Sequence, residues 1–69
     1  MMNSIEDDFQ YTVRMYKACE SINQVEYAKQ VRNEFMNKWV VKVNITDESF
    51  IAKVDFLLDL EQKKLKEVK

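Results

Sequence analysis

Apolar residues recur at helical rather than strand spacing along most of the chain. Ile5, Phe9, Val13 and Tyr16 make one row, and Tyr11, Met15, Ala18 and Ile22 make a second. Two adjacent rows at this spacing predict a helix over about 4–21 with a broad apolar face. Ser4 is its expected N-cap, with Glu6, Asp7 and Asp8 in the first turn, where acids suit the free amides and the helix dipole. Val25, Ala28, Val31, Phe35 and Trp39 form the next stripe and predict a second helix over about 24–40. Between the two, Ser21-Ile22-Asn23-Gln24-Val25-Glu26 holds two overlapping capping boxes, Ser21 with Gln24 and Asn23 with Glu26. Asn23 also suits the left-handed helix end usually given to glycine. A short turn here makes the first two helices an antiparallel hairpin.

The pattern changes at Lys38-Trp39-Val40-Val41-Lys42-Val43-Asn44-Ile45-Thr46, where Trp39, Val41, Val43 and Ile45 alternate with other residues and β-branching dominates. By itself this reads as a strand, which would need a partner strand from a second chain. The alternative is a helix end running into an extended connector, and that is the reading preferred. Thr46 then caps a third helix over about 47–67. Ile51, Val54, Leu58, Leu65 and Val68 form its main stripe, flanked by Phe50, Leu57 and Leu60, with Asp59 and Lys63 as an i,i+4 pair. The expected fold is all-α: residues 1–69 as one helical domain, a three-helix bundle with a long third helix.

Composition supports the helices and thins the chemistry. The chain has no Gly, no Pro and no His, so the residues best suited to tight turns, phosphate-cradling loops and general-base catalysis are missing. At 69 residues it has room for one small core. A chain of this size buries only roughly 60% of its unfolded surface, which points to an oligomer. One cysteine, Cys19, allows neither an internal disulfide nor a structural zinc site, and a chain without disulfides is expected in a reducing, cytoplasmic setting. No apolar run approaches a membrane span, and the acidic start is unlike a secretory signal. Abundant Lys, Asn, Ile, Met, Phe and Tyr point to an AT-rich bacterial, phage or plasmid gene, which codon usage tests.

Candidate chemistry is sparse. Cys19 lies on a helix with no histidine to activate it and is expected to be a small buried hydrophobe. Asp7-Asp8 and Asp47-Glu48 sit at helix starts, where acids serve the dipole, and Asp55, Asp59 and Lys63 read as a solvated face. No enzyme, cofactor or metal site is expected. Arg14 and Lys17 on the first helix, with Lys29 and Arg32 on the second, could present a basic face to DNA. Glu20, Glu26 and Glu34 interleave with them, and the net charge is −1, so DNA binding is the second reading.

The aromatic residues say more. Phe56 and Tyr27 fall off the main stripes, and Trp39 adjoins the β-branched connector. The surplus points to a contact surface built on Tyr27, Trp39, Val41, Val43 and Phe56. The expected function is therefore a non-enzymatic protein–protein interaction module, self-associating, acting as a small regulator, adaptor or inhibitor. One family resemblance accompanies this. Residues 11–26, through Tyr11, Arg14, Cys19, Ile22 and Glu26 and with one inserted residue, resemble the early part of the Hha/YmoA regulators. The resemblance implies a small helical protein that binds nucleoid-associated proteins. It covers about a quarter of the chain, and the family's later aspartate–histidine–arginine segment has no counterpart here. No site residues carry over.

Overall fold

The computed structural model describes residues 4–42 and 47–68. Three helices, α1 (Ile5–Lys17), α2 (Ile22–Val40) and α3 (Glu48–Glu67), pack against one another, and no strand occurs among the described residues. α3 is the longest, though by one residue over α2.

Each helix starts where a polar side chain can take the free amides. Ser4 Oγ accepts from the Asp7 amide at 3.1 Å, and the Asp7 carboxylate returns the bond to the Ser4 amide, a complete capping box. Ser21 caps α2 by accepting from the Gln24 amide. Asp47 caps α3, its Oδ1 accepting from Ser49 and Phe50 at 2.9 and 3.1 Å. Thr46, the expected cap, lies outside the described residues.

Two boundaries differ from the sequence expectation. α1 stops at Lys17 rather than near 21, and α2 begins at Ile22, two residues early. The reason lies in Ser21, whose extended backbone (φ −146°, ψ 163°) makes it the N-cap and places Asn23 inside the helix. The Asn23–Glu26 box therefore does not form a helix start. No left-handed cap is used either: no described residue has positive φ. α1 ends by tightening instead, with the Cys19 amide donating to the Tyr16 carbonyl at 3.1 Å. The expected reciprocal bond from Gln24 goes to the Glu20 amide rather than to Ser21.

The described residues include part of the alternating stretch. Trp39 and Val40 belong to α2, and Val41 and Lys42 make a turn in which the Lys42 amide donates to the Trp39 carbonyl at 3.0 Å. Val43 and Ile45 lie outside the described residues. The helix persists through Trp39 because its indole N–H donates to Asp8 of α1 at 2.7 Å, tying the end of α2 to the start of α1.

Val13, Tyr16, Cys19, Val25, Ala28, Phe35, Phe50 and Leu57 form the buried core. Four rings run across one end of it, Phe56 on Phe9, Phe9 on Phe35 and Phe35 on Phe50, at centroid separations of 5.7, 6.4 and 6.2 Å. Every helix thus contributes to a continuous aromatic layer. The remainder of the core is built around three polar residues.

Candidate functional site

Two features stand out above an ordinary core: a buried polar triad and an apolar surface. The triad takes one residue from each helix. Tyr16 of α1 donates its hydroxyl proton to Glu61 Oε1 of α3 at 2.7 Å, and Arg32 Nη1 of α2 donates to the same oxygen at 2.6 Å. Arg32 Nη2 reaches Asn33 Oδ1 at 3.3 Å, while Arg32 Nε is buried without a partner among the described residues. All three side chains are buried. Burial pushes the Tyr16 phenol well above its ordinary value, and its bond to the Glu61 carboxylate adds to the shift. A phenol held neutral, with its proton committed to a carboxylate that also pairs with arginine, is a structural bond rather than an activated nucleophile.

Arg32 was the fourth member of the expected basic face, and its burial is a correction to that surface. Arg14, Lys17 and Lys29 remain exposed. An arginine can fill a core position because its methylene stem packs like an aliphatic chain, provided a carboxylate meets the guanidinium. Glu61 supplies that carboxylate. The signal for Glu61 was available in the sequence, an acid three residues after Leu58 and four before Leu65 on an apolar stripe. It pairs with Arg32, seven residues after Val25 on the core row of α2.

The four described members of the expected contact surface do not share one element: Tyr27, Trp39 and Val41 belong to α2 and its C-cap, and Phe56 to α3. Tyr27 is 56% exposed on α2, beside Met15 and Ala18 of α1. Phe56 is 49% exposed on α3 and rests on Phe9. Val41 is 81% exposed at the end of α2. Trp39 is half-buried, its indole N–H held by Asp8, and the Lys38 and Lys42 ammonium groups each lie 5.2 Å from its ring. Much of its interaction capacity is thus spent inside the chain. Val43 lies outside the described residues.

A second apolar surface is one the sequence reading assigned to the core. Ile51 and Leu58, from the main stripe of α3, are 44% and 41% exposed, while Phe50 and Leu57, the expected flank, are buried. Ile51 and Val54 face Met36 and Val40 of α2 across a groove of about 270 Å³, with Asn37 and Asp55 on its rim. Ile22, at the other end of α2, is also exposed.

Cys19 is buried as expected, its thiol donating to the Met15 carbonyl at 3.2 Å. Burial raises its pKa, opposed by Lys64, whose ammonium sits 3.4 Å from the Cys19 carbonyl oxygen. Among the described residues no group of three or more His, Cys, Asp or Glu is placed to hold a metal ion, and no helix is long and apolar enough to cross a membrane. Compared with protein-family models, curated proteins and solved structures, the chain matches none. The Hha/YmoA resemblance therefore rests on its five residues, of which only Cys19 is buried.

Proposed function

We propose that this chain is a non-enzymatic helical interaction module that associates with itself and acts as a small regulator, adaptor or inhibitor. One observation carries the reading. Among the described residues, Tyr11, Ile22, Tyr27, Val41, Ile51, Phe56 and Leu58 are each at least 41% exposed, over a core of eight buried hydrophobic residues. A bundle with that ratio gains more from covering its surface than from any further internal packing. The antiparallel arrangement of α1 and α2 belongs to the same proposal. It is supported by the bonds from Lys38 and Trp39, at the end of α2, to Asp8, at the start of α1.

The test is light scattering after size-exclusion chromatography at two protein concentrations. A dimer or larger species whose fraction rises with concentration supports the reading. A monomer at both concentrations removes self-association from it. The DNA-binding alternative gains no support from the geometry, because Arg32 is committed to Glu61 and lost to the basic face.

A further inference from the structure

The groove between α2 and α3 joins an apolar lining to an uncompensated charge. Met36 and Val40 stand one turn apart on α2, and Phe50, Ile51 and Val54 face them from α3. Asn37 and Asp55 are the polar residues of the lining. Asp55 is exposed, and its side chain makes no ion pair or hydrogen bond among the described residues. The lysines that lie between Asn37 and Asp55 in sequence are engaged elsewhere. Lys38 meets Asp8 at 2.8 Å, Lys53 meets Glu6 at 3.6 Å, and the Lys42 ammonium lies over the Trp39 ring. Glu6 and Asp8 belong to α1, so Lys38 and Lys53 are drawn toward that helix and away from Asp55. Asp59, one turn further along α3, is exposed and unpaired among the described residues as well. Like charges at this spacing disfavour a helix until a cation sits against them.

We propose that this groove binds a basic amphipathic helix of a partner protein, whose apolar side chains enter between α2 and α3 and whose Lys or Arg meets Asp55. The proposal rests on the interaction-module reading above and gives the chemistry of a partner. Size fixes the kind of occupant. The groove, about 270 Å³, is smaller than the roughly 300 Å³ at which pockets for whole small molecules begin, so it suits anchoring side chains. Met36 to Val40 and Ile51 to Asp55 each span one helical turn, which matches two apolar anchors at i and i+4 of a docked helix.

Charge fixes the rest. Any partner that covers the apolar lining also covers Asp55, and a neutral or acidic partner would leave that carboxylate desolvated without a counter-charge. A cation beside the anchors removes that cost. A second copy docking by the same face brings another Asp55 rather than a cation. The groove beside Tyr27, lined by Met15, Ala18, Cys19, Asn23 and Gln24, holds no charged residue and selects no such partner.

The experiment titrates the full chain with a set of synthetic helical peptides. Each carries paired Leu, Phe or Met anchors at i and i+4, with either Lys or Glu at the flanking rim positions. Fluorescence anisotropy gives the affinity, and methyl resonances in NMR give the place. The best Lys peptide should bind at least about tenfold more tightly than its Glu counterpart. The methyl signals of Val40, Ile51 and Val54 should move, while that of Ala18 stays. Asp55→Asn should weaken the Lys peptide by about tenfold and erase the preference over Glu, and Glu26→Gln, on an exposed face of α2, should change neither. The groove assignment is overturned if Asp55→Asn keeps the preference, if the shifts fall beside Ala18 and Tyr27, or if no peptide of the set binds. Light scattering on the chain alone reads self-association separately. A concentration-dependent dimer that binds no peptide keeps the interaction module and loses this groove. A monomer that binds the Lys peptides keeps the groove and loses self-association, and a monomer that binds none ends both.

Discussion

Glu61→Ala offers a sharp test of how the bundle is held together. In the native chain one carboxylate oxygen accepts from both Tyr16 and Arg32, and the two ion-pair side chains are 9% and 11% exposed. Truncation leaves a guanidinium buried without a counter-charge, which costs about 3–5 kcal/mol. The Tyr16 hydroxyl loses its acceptor as well, adding about 1 kcal/mol. A domain of this length has a total stability of roughly 3–10 kcal/mol, so the substitution should unfold much of the population at room temperature. Glu61→Gln keeps an oxygen acceptor for both donors and loses only the charge, so it should cost about 1–3 kcal/mol. Urea unfolding followed by circular dichroism gives the order, with Glu26→Ala on the exposed face of α2 as the control. Arg32→Ala should resemble Glu61→Ala, and the double variant should be less destabilised than the two added together, by at least about 1 kcal/mol. The reasoning fails if Glu61→Ala is no worse than Glu26→Ala, or if the two single costs simply add.

Three further outcomes follow from the same contacts. Because burial and Glu61 raise the Tyr16 pKa above its unfolded value, the native state holds that proton where the unfolded chain releases it. Tyr16 therefore contributes fully below about pH 10, and stability should fall above it by up to about 1.4 kcal/mol per pH unit, a slope that Tyr16→Phe lacks when compared with the parent in urea titrations. Asp8→Ala removes the acceptor of the Trp39 indole and of Lys38 and should cost about 1–2 kcal/mol, with Trp39 fluorescence shifting as the indole becomes hydrated. Cys19, buried with a raised pKa, should react with a thiol reagent far more slowly in the folded chain than in urea, and equal rates would contradict its burial.

Helix number and type were legible because the apolar spacing is regular and the caps are explicit. Ser4, Ser21 and an acid-rich start at Asp47 mark all three beginnings. Helix ends were harder to read, since without glycine the chain stops α1 by a tight last turn that leaves no residue-type signature. The charged core was legible in part: Glu61 interrupts the apolar stripe of α3 between Leu58 and Leu65, but spacing does not name its partner. That Arg32 meets Glu61 rests on the tertiary pairing of α2 with α3, which brings together two residues 29 apart in sequence. The bond from the Trp39 N–H to Asp8 was illegible for a related reason, since it joins the end of α2 to the start of α1 across 31 residues.

The triad also accounts for which row of α3 is left outside. Glu61 follows Leu57 by four residues and Phe50 by eleven, so turning its carboxylate to Tyr16 and Arg32 turns those two inward with it. Ile51 and Leu58, each one residue further on, are about 100° round the helix and stay near solvent. The sequence's own strongest stripe would set α3 about 50° away from this orientation, burying Ile51 and Leu58 more deeply. In the native chain the triad's bonds and the Phe50–Leu57 row share one rotation of the helix. Replacing all three members together, Tyr16→Phe with Arg32→Met and Glu61→Leu, removes the buried charges and should stabilise the bundle by about 1–4 kcal/mol. It should also free α3 to roll toward its apolar stripe, which is read by a cysteine at position 58 in a Cys19→Ala background. Protection of that thiol relative to the parent is the expected result. A more stable chain whose residue 58 is as accessible as before would show that packing alone sets the rotation, and that the triad has no part in exposing Ile51 and Leu58.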